Sequence, residues 1–195
     1  MANGWNIDNF NTQFSNGGQC LGMAGYATWF FANRSEQLNG KFPAVGTPPG
    51  TPNSIAHIVA ARAQLAQSKT WAGRNAIYQS DLGISKTGAL MKMYLSYFKQ
   101  PLILLLFDLD GSQNNHASVV YGYDVTGFWF YDVNSMNKIE YVTFNGASWG
   151  SYEGYEGFGF VADPSLGRSE DFAVLTTQAE GGLCLLESYL CDRSN

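Results

Sequence analysis

Apolar and polar positions along the chain divide it into a helix-patterned first half and a strand-patterned second half. In residues 20–33, CLGMAGYATWFFAN, the positions Leu21, Ala24, Ala27, Thr28 and Phe31 recur at helical spacing. Residues 52–68, PNSIAHIVAARAQLAQS, open on a capping Asn53 or Ser54 and carry a stripe at Ile55, Ile58, Val59, Arg62 and Leu65, which predicts a second helix. Residues 86–98, KTGALMKMYLSYF, predict a third. Between the first two, residues 40–52 hold four of the six prolines and read as a linker or surface loop. Residues 1–19, rich in Asn and Gly, read as loop.

From residue 101 the character changes. PLILLLF (101–107) predicts a short buried strand, and HASVVYGYDV (116–125) alternates as a half-buried one. FWFYDV (128–133) follows a hairpin turn at Thr126-Gly127, and KIEYVTF (138–144) and GFGFVA (157–162) complete the set. Helices followed by a run of antiparallel strands make an α+β pattern. The length of 195 residues fits one domain over 1–195. It would have a mostly helical subregion at 1–100, an antiparallel sheet at 101–162 and an extension at 163–195. In that extension FAVLTTQ suits a strand and GLCLLESYLC a helix or amphipathic tail. There is no internal repeat.

Composition narrows the partners. Charged residues are only 14% and the formal net charge is -5. This argues against binding a nucleic-acid backbone, which needs clustered Lys and Arg. No apolar run approaches the roughly 18 residues of a membrane span. The N-terminus lacks the basic and apolar regions of a signal peptide. A cytosolic protein, or a mature or excised piece such as a secreted effector or toxin domain, is compatible with that. Two histidines, no CxxC and no HExxH leave no metal motif. Of the three cysteines, Cys184 and Cys191 are seven apart and read as core or tail residues rather than a disulfide framework.

The third cysteine is placed differently. Cys20 stands at the seam between the glycine-rich NGGQ and a helix. A helix N-terminus offers unpaired N–H groups and the positive end of the macrodipole, and both favour a thiolate. The same N–H groups suit a developing oxyanion. Gly17 and Gly18 would let a substrate backbone approach. Helix-start cysteines also occur without chemistry, so a base is required. His57 lies within a helix and reads as structural. His116 opens a strand after the polar DLDGSQNN, where a side chain can face a cleft; an edge-strand histidine bonded to backbone is the plainer alternative. A hairpin at Thr126-Gly127 would return Asp132 to the start of the His116 strand, as an imidazole orienter requires. Asn134 shares that face, and Asp132 read plainly is a turn residue in DVNS.

These residues resemble a family. GGQCLGMAG, then HASVVYGYD, then FWFYDVN, in that order and at that spacing, look like the papain-like cysteine peptidases. The nearest likeness is to the bacterial branch around the double-glycine-leader peptidases. It covers roughly residues 5–162. Val133 stands where the family's YDPN motif has proline. The resemblance implies a papain-like fold with a central helix opened by Cys20, and a Cys20–His116–Asp132 triad. It also implies an oxyanion-hole amide a few residues before the cysteine, for which Gln13 is preferred and Asn16 the alternative. The implied activity is that of a cysteine peptidase on a peptide or protein, through a thioester and with no cofactor or metal.

Acyl transfer, deamidation and transglutamination use the same thioester and remain open. A further alternative is an inactive papain-like module that binds peptide or carbohydrate. Its motive is the run at 144–160, where Trp149, Tyr152, Tyr155 and Phe158 are separated by glycines and could stack on a ligand; ordinary loop and β-edge aromatics are the favoured explanation.

Overall fold

The run Leu102–Phe107 anchors the architecture. In the computed structural model, which describes residues 9, 18–34, 59–61, 63–64, 76–110, 115–135 and 138–161, Leu102 to Leu106 are all buried. A strand apolar at every position must be covered on both faces, and this one is. The elements are α1 (Cys20–Arg34), β1 (Ala76–Tyr78), α2 (Gln79–Leu82), α3 (Ile84–Phe98), β2 (Leu102–Phe107), β3 (His116–Tyr123), β4 (Gly127–Tyr131), β5 (Glu140–Thr143) and β6 (Gly157–Val161). Residues 59–61 and 63–64 are also helical. The strands form one six-stranded sheet of order β1-β6-β2-β3-β4-β5, antiparallel at every pairing. The class is α+β.

Alternate side chains of the sheet point to opposite cores. Ile103, Leu105, Ala117, Val119 and Tyr131 meet Met23, Ala24, Tyr26, Trp29 and Phe30 of α1, together with Val59, Ala60 and Ala63. Leu104, Leu106, Val120, Phe128, Phe130 and Phe160 meet Met91 and Leu95 of α3. The sheet therefore lies between α1 and α3.

Three expectations change. The helix at α1 forms, but it is covered almost all round, and Phe31, placed on its inner stripe by periodicity, is 51% exposed. A helix buried between a sheet and a neighbouring helical segment has no single apolar stripe to detect. Residues 76–78, in the stretch read as helical, form an edge strand on β6. The hairpin turns one residue earlier than expected: Asp124 and Gly127 close it with an N–H···O bond of 3.0 Å, leaving Val125 and Thr126 at the tip. The Asp124 carboxylate accepts from the Thr126 hydroxyl, the Thr126 and Gly127 amides and the Tyr141 hydroxyl. The hydroxyl bond from Thr126 and the others hold its carboxyl down at about 2. The segments 40–52, 163–195 and most of 52–68, with His57, Cys184 and Cys191, lie outside the described residues. Among the described residues no helix is long and apolar enough to cross a membrane.

One tie fastens α3 to that hairpin. Lys92 Nζ donates to the Asp124 carbonyl at 2.8 Å and lies 5.2–5.6 Å from the centroids of Tyr123, Phe128 and Phe144. Replacing Lys92 with Met keeps the stem and removes the hydrogen bond and the cation–π contacts, so a loss of about 1–2 kcal/mol is expected. Urea unfolding of the variant checks this; an unchanged midpoint would show that the cage is decorative.

Candidate active site

The first turn of α1 is built from distant amides. The helix takes its first backbone bond from Met23 N–H to the Gln19 carbonyl, at 2.9 Å, which makes Gln19 the cap and Cys20 the first helical residue. The Gln19 amide is held by the Asn9 side-chain oxygen. Gly22 N–H donates to Gln64 Oε1 at 2.5 Å. A Cβ on Gly22 would stand 2.4 Å from the Ala60 carbonyl oxygen and the Gln64 nitrogen, so only glycine lets the neighbouring helical segment press this close. The N–H groups of Cys20 and Leu21 precede it in the same turn and have no acceptor within the helix.

Beside that turn stands the head of β3. His116 is 5% exposed and pairs in register with Leu106 of the central strand. Its Nε2 lies 2.8 Å from Asp132 Oδ1. The Cys20 thiol lies close enough to the ring to act on its ionisation. With Nε2 committed to Asp132, the nitrogen left for the thiol is Nδ1. Asp132 is 1% exposed. Its Oδ1 also accepts the Asn134 amide at 2.8 Å, and its Oδ2 accepts the Tyr152 hydroxyl at 2.9 Å.

The route by which Asp132 reaches the ring differs from a simple facing pair. Val119 lies opposite Tyr131 and Val120 opposite Phe130, with a bulge between Val120 and Gly122. Counting on from those pairs, position 134 rather than 132 stands across from His116. Asp132 reaches the imidazole on the diagonal, within range for two side chains on one face. Asn134, across the strand, is exposed and turns its backbone amide toward Asp132. The turn reading of DVNS holds at the same time, because Ser135 N–H closes on the Asp132 carbonyl at 3.0 Å.

Charge follows from the geometry. Burial pushes the His116 imidazole down, but the hydrogen bond and charge of Asp132, with the neighbouring Cys20, outweigh it and raise it to about 9. Asp132 shows the converse: burial pushes it up, while the His116 bond and charge, the Asn134 amide and Tyr152 hold it below the usual carboxylate range. His116 is thus an imidazolium at neutral pH. That is the partner a sulfur nucleophile needs to hold its charge.

Other candidates fare differently. Gln13, Asn16 and Gly17 lie outside the described residues. Gly18 is buried, with φ +94. Trp149 corrects the expectation of an exposed stacking ring: it is buried, 3.9 Å from Phe158 at an interplanar angle of 14°. Phe158 and Tyr152 are buried too. Tyr155 stacks on the His116 ring, with centroids 5.9 Å apart at 24°. The run 144–160 turns its rings inward because it crosses the core under α3 and the end of β3. Sequence reading missed Asn9, Gln64 and the role of Tyr152; no spacing links any of them to Cys20 or Asp132.

The sequence matches no known family model, and no curated protein or solved structure matches it either.

Proposed function

We propose that this protein is a thiol hydrolase, in the first instance a papain-like cysteine peptidase acting on a peptide or protein. The observation that carries the reading is the line from Cys20 at the head of α1, through His116, to Asp132 at 2.8 Å. In the proposed mechanism the proton of the Cys20 thiol already rests on His116 as a thiolate–imidazolium pair, and the sulfur attacks an acyl carbonyl. The Cys20 N–H, with an amide from Gln13 or Asn16, holds the oxyanion. His116 protonates the leaving amine, and water, activated by the same imidazole, releases the acid from the thioester. Asp132 keeps the ring oriented and stabilises its charge. The chemistry needs no cofactor.

The triad alone does not separate hydrolysis from acyl transfer or deamidation, because these differ only in what attacks the thioester or leaves from it. The test is incubation with a peptidyl chloromethyl ketone and with a complex peptide mixture, followed by mass spectrometry. One adduct on Cys20, and new peptide N-termini that disappear in Cys20→Ala, are expected. Released ammonia or amine-exchanged products instead would make the protein a deamidase or transferase. No adduct and no products would overturn the enzyme reading in favour of an inactive binding module.

A further inference from the structure

Between β5 and β6 the chain makes a small hairpin that the triad chemistry does not by itself explain. Tyr152 and Tyr155 exchange amide-to-carbonyl bonds of 3.1 and 2.8 Å. Glu153 and Gly154 at its tip have φ 49 and 90. Positive φ at both central residues marks a tight I′-type turn, and glycine at the second of them fits it without strain. Directly paired residues project to the same face, and here both tyrosines reach the pair at the heart of the site. The Tyr152 hydroxyl donates to Asp132 Oδ2 at 2.9 Å, and the Tyr155 ring lies on His116. The turn is fixed at its base. Gly150 N–H bonds the Thr143 carbonyl at 2.8 Å, and Glu156 N–H bonds the Phe107 carbonyl at 3.1 Å.

We propose that this turn is a clamp on the His116–Asp132 pair. Tyr152 is a positioning residue that keeps Asp132 ionised and aimed at Nε2, and Tyr155 is a shield that keeps water from that hydrogen bond. The roles assigned here rest on the reading of Cys20, His116 and Asp132 as a triad. Asp132 Oδ1 is shared between His116 and the Asn134 amide. Without a donor, Oδ2 would be a buried anionic oxygen, which either takes a proton or swings away. A tyrosine suits this position, because burial first, then the Asp132 charge, push its own ionisation upward and it stays a donor. Packing alone is the competing role, since the Tyr152 ring meets Phe130 edge-on at 4.7 Å. Tyr152→Phe separates the two, because it keeps the ring and removes only the hydroxyl.

The experiment is NMR on the full chain, following the Asp132 carboxyl carbon against pH and the low-field His116 ring proton. Tyr152→Phe is expected to raise the Asp132 midpoint by about one pH unit. It should lower kcat by about tenfold with KM little changed. Tyr155→Ala is expected to lose the ring proton to solvent exchange, while Tyr155→Phe retains it; Tyr155→Leu serves if the Ala variant does not fold. An unmoved Asp132 midpoint in Tyr152→Phe, or a ring proton that persists without the aromatic ring, overturns the clamp and leaves the peptidase reading standing. Both NMR results as expected, in a protein that forms no adduct and turns over no substrate, would overturn the peptidase reading alone and leave a clamp on a non-catalytic pair.

Discussion

Cys20→Ala and His116→Ala are each expected to abolish turnover, a fall of about 10⁴-fold or more in kcat, and the double variant should be little worse than either. In the proposed mechanism sulfur and imidazole form one proton-transfer unit, so removing the second partner removes nothing that is still working. Asp132→Asn should cost less. An asparagine oxygen at the Oδ1 position still accepts from the His116 ring and the Asn134 amide. Its NH₂ then meets the Tyr152 hydroxyl, which rotates to accept instead of donate. What is lost is the negative charge beside the imidazolium. Asn134→Ala should leave kcat/KM within about twofold, because the exposed side chain is not what Asp132 uses. Steady-state kinetics on one peptide substrate checks the whole order. Asn134→Ala proving worse than Asp132→Ala would reassign the third member of the triad.

Asp132→Ala is the substitution expected to cost the fold most, about 3–5 kcal/mol at pH 6, since it strands a buried imidazolium and the Tyr152 hydroxyl. The loss should depend on pH in a defined direction. His116 is raised from 6.5 to about 9 in the folded chain. Its contribution is therefore fully present below about pH 6.5 and fades as pH rises through about 9, a change of about 3 kcal/mol. Asp132 is depressed below its ordinary 3.8. Its contribution is present above about pH 4 and is lost as pH falls through the lowered value. These are one interaction seen from two ends and are not summed. Urea unfolding at a series of pH values should show wild-type stability declining between about pH 6.5 and 9, with that slope largely absent in Asp132→Ala. Equal slopes in the two proteins would mean that His116 is not paired in solution as it is in the structure.

Much of this arrangement was legible because local signals and the hydrophobic period agreed. The start of α1 at Cys20, the all-apolar β2 and the β3–β4 hairpin each carry their own punctuation: a glycine-rich lead-in, a following polar loop, a Thr-Gly turn. The face shared by His116, Asp132 and Asn134 follows from the two-residue period alone. The diagonal reach of Asp132 did not follow, because it depends on where the hairpin closes and on a bulge at Tyr121, and one residue of either resets the pairing. β1 was hidden because three residues give no periodicity, and only their pairing with β6 makes them a strand. Glycine-spaced aromatics read as a surface, yet Trp149 and Phe158 are core because α3 and the sheet close over them. The amides of Asn9 and Gln64 reach the first turn of α1 from 10 and 42 positions away, a relation that only tertiary packing creates.

The order β1-β6-β2 also bears on how the molecule comes into being. β6 is the last strand made among those described, yet it lies between two made earlier. On a ribosome the sulfur at position 20 emerges almost a hundred residues before the imidazole at 116. The sheet that presents that imidazole stays open until Val161 has cleared the exit tunnel and β6 has threaded between its neighbours. Synthesis thus carries its own delay: a growing chain holds its thiol for almost a hundred residues before the imidazole is made, and the sheet that carries that imidazole is completed last.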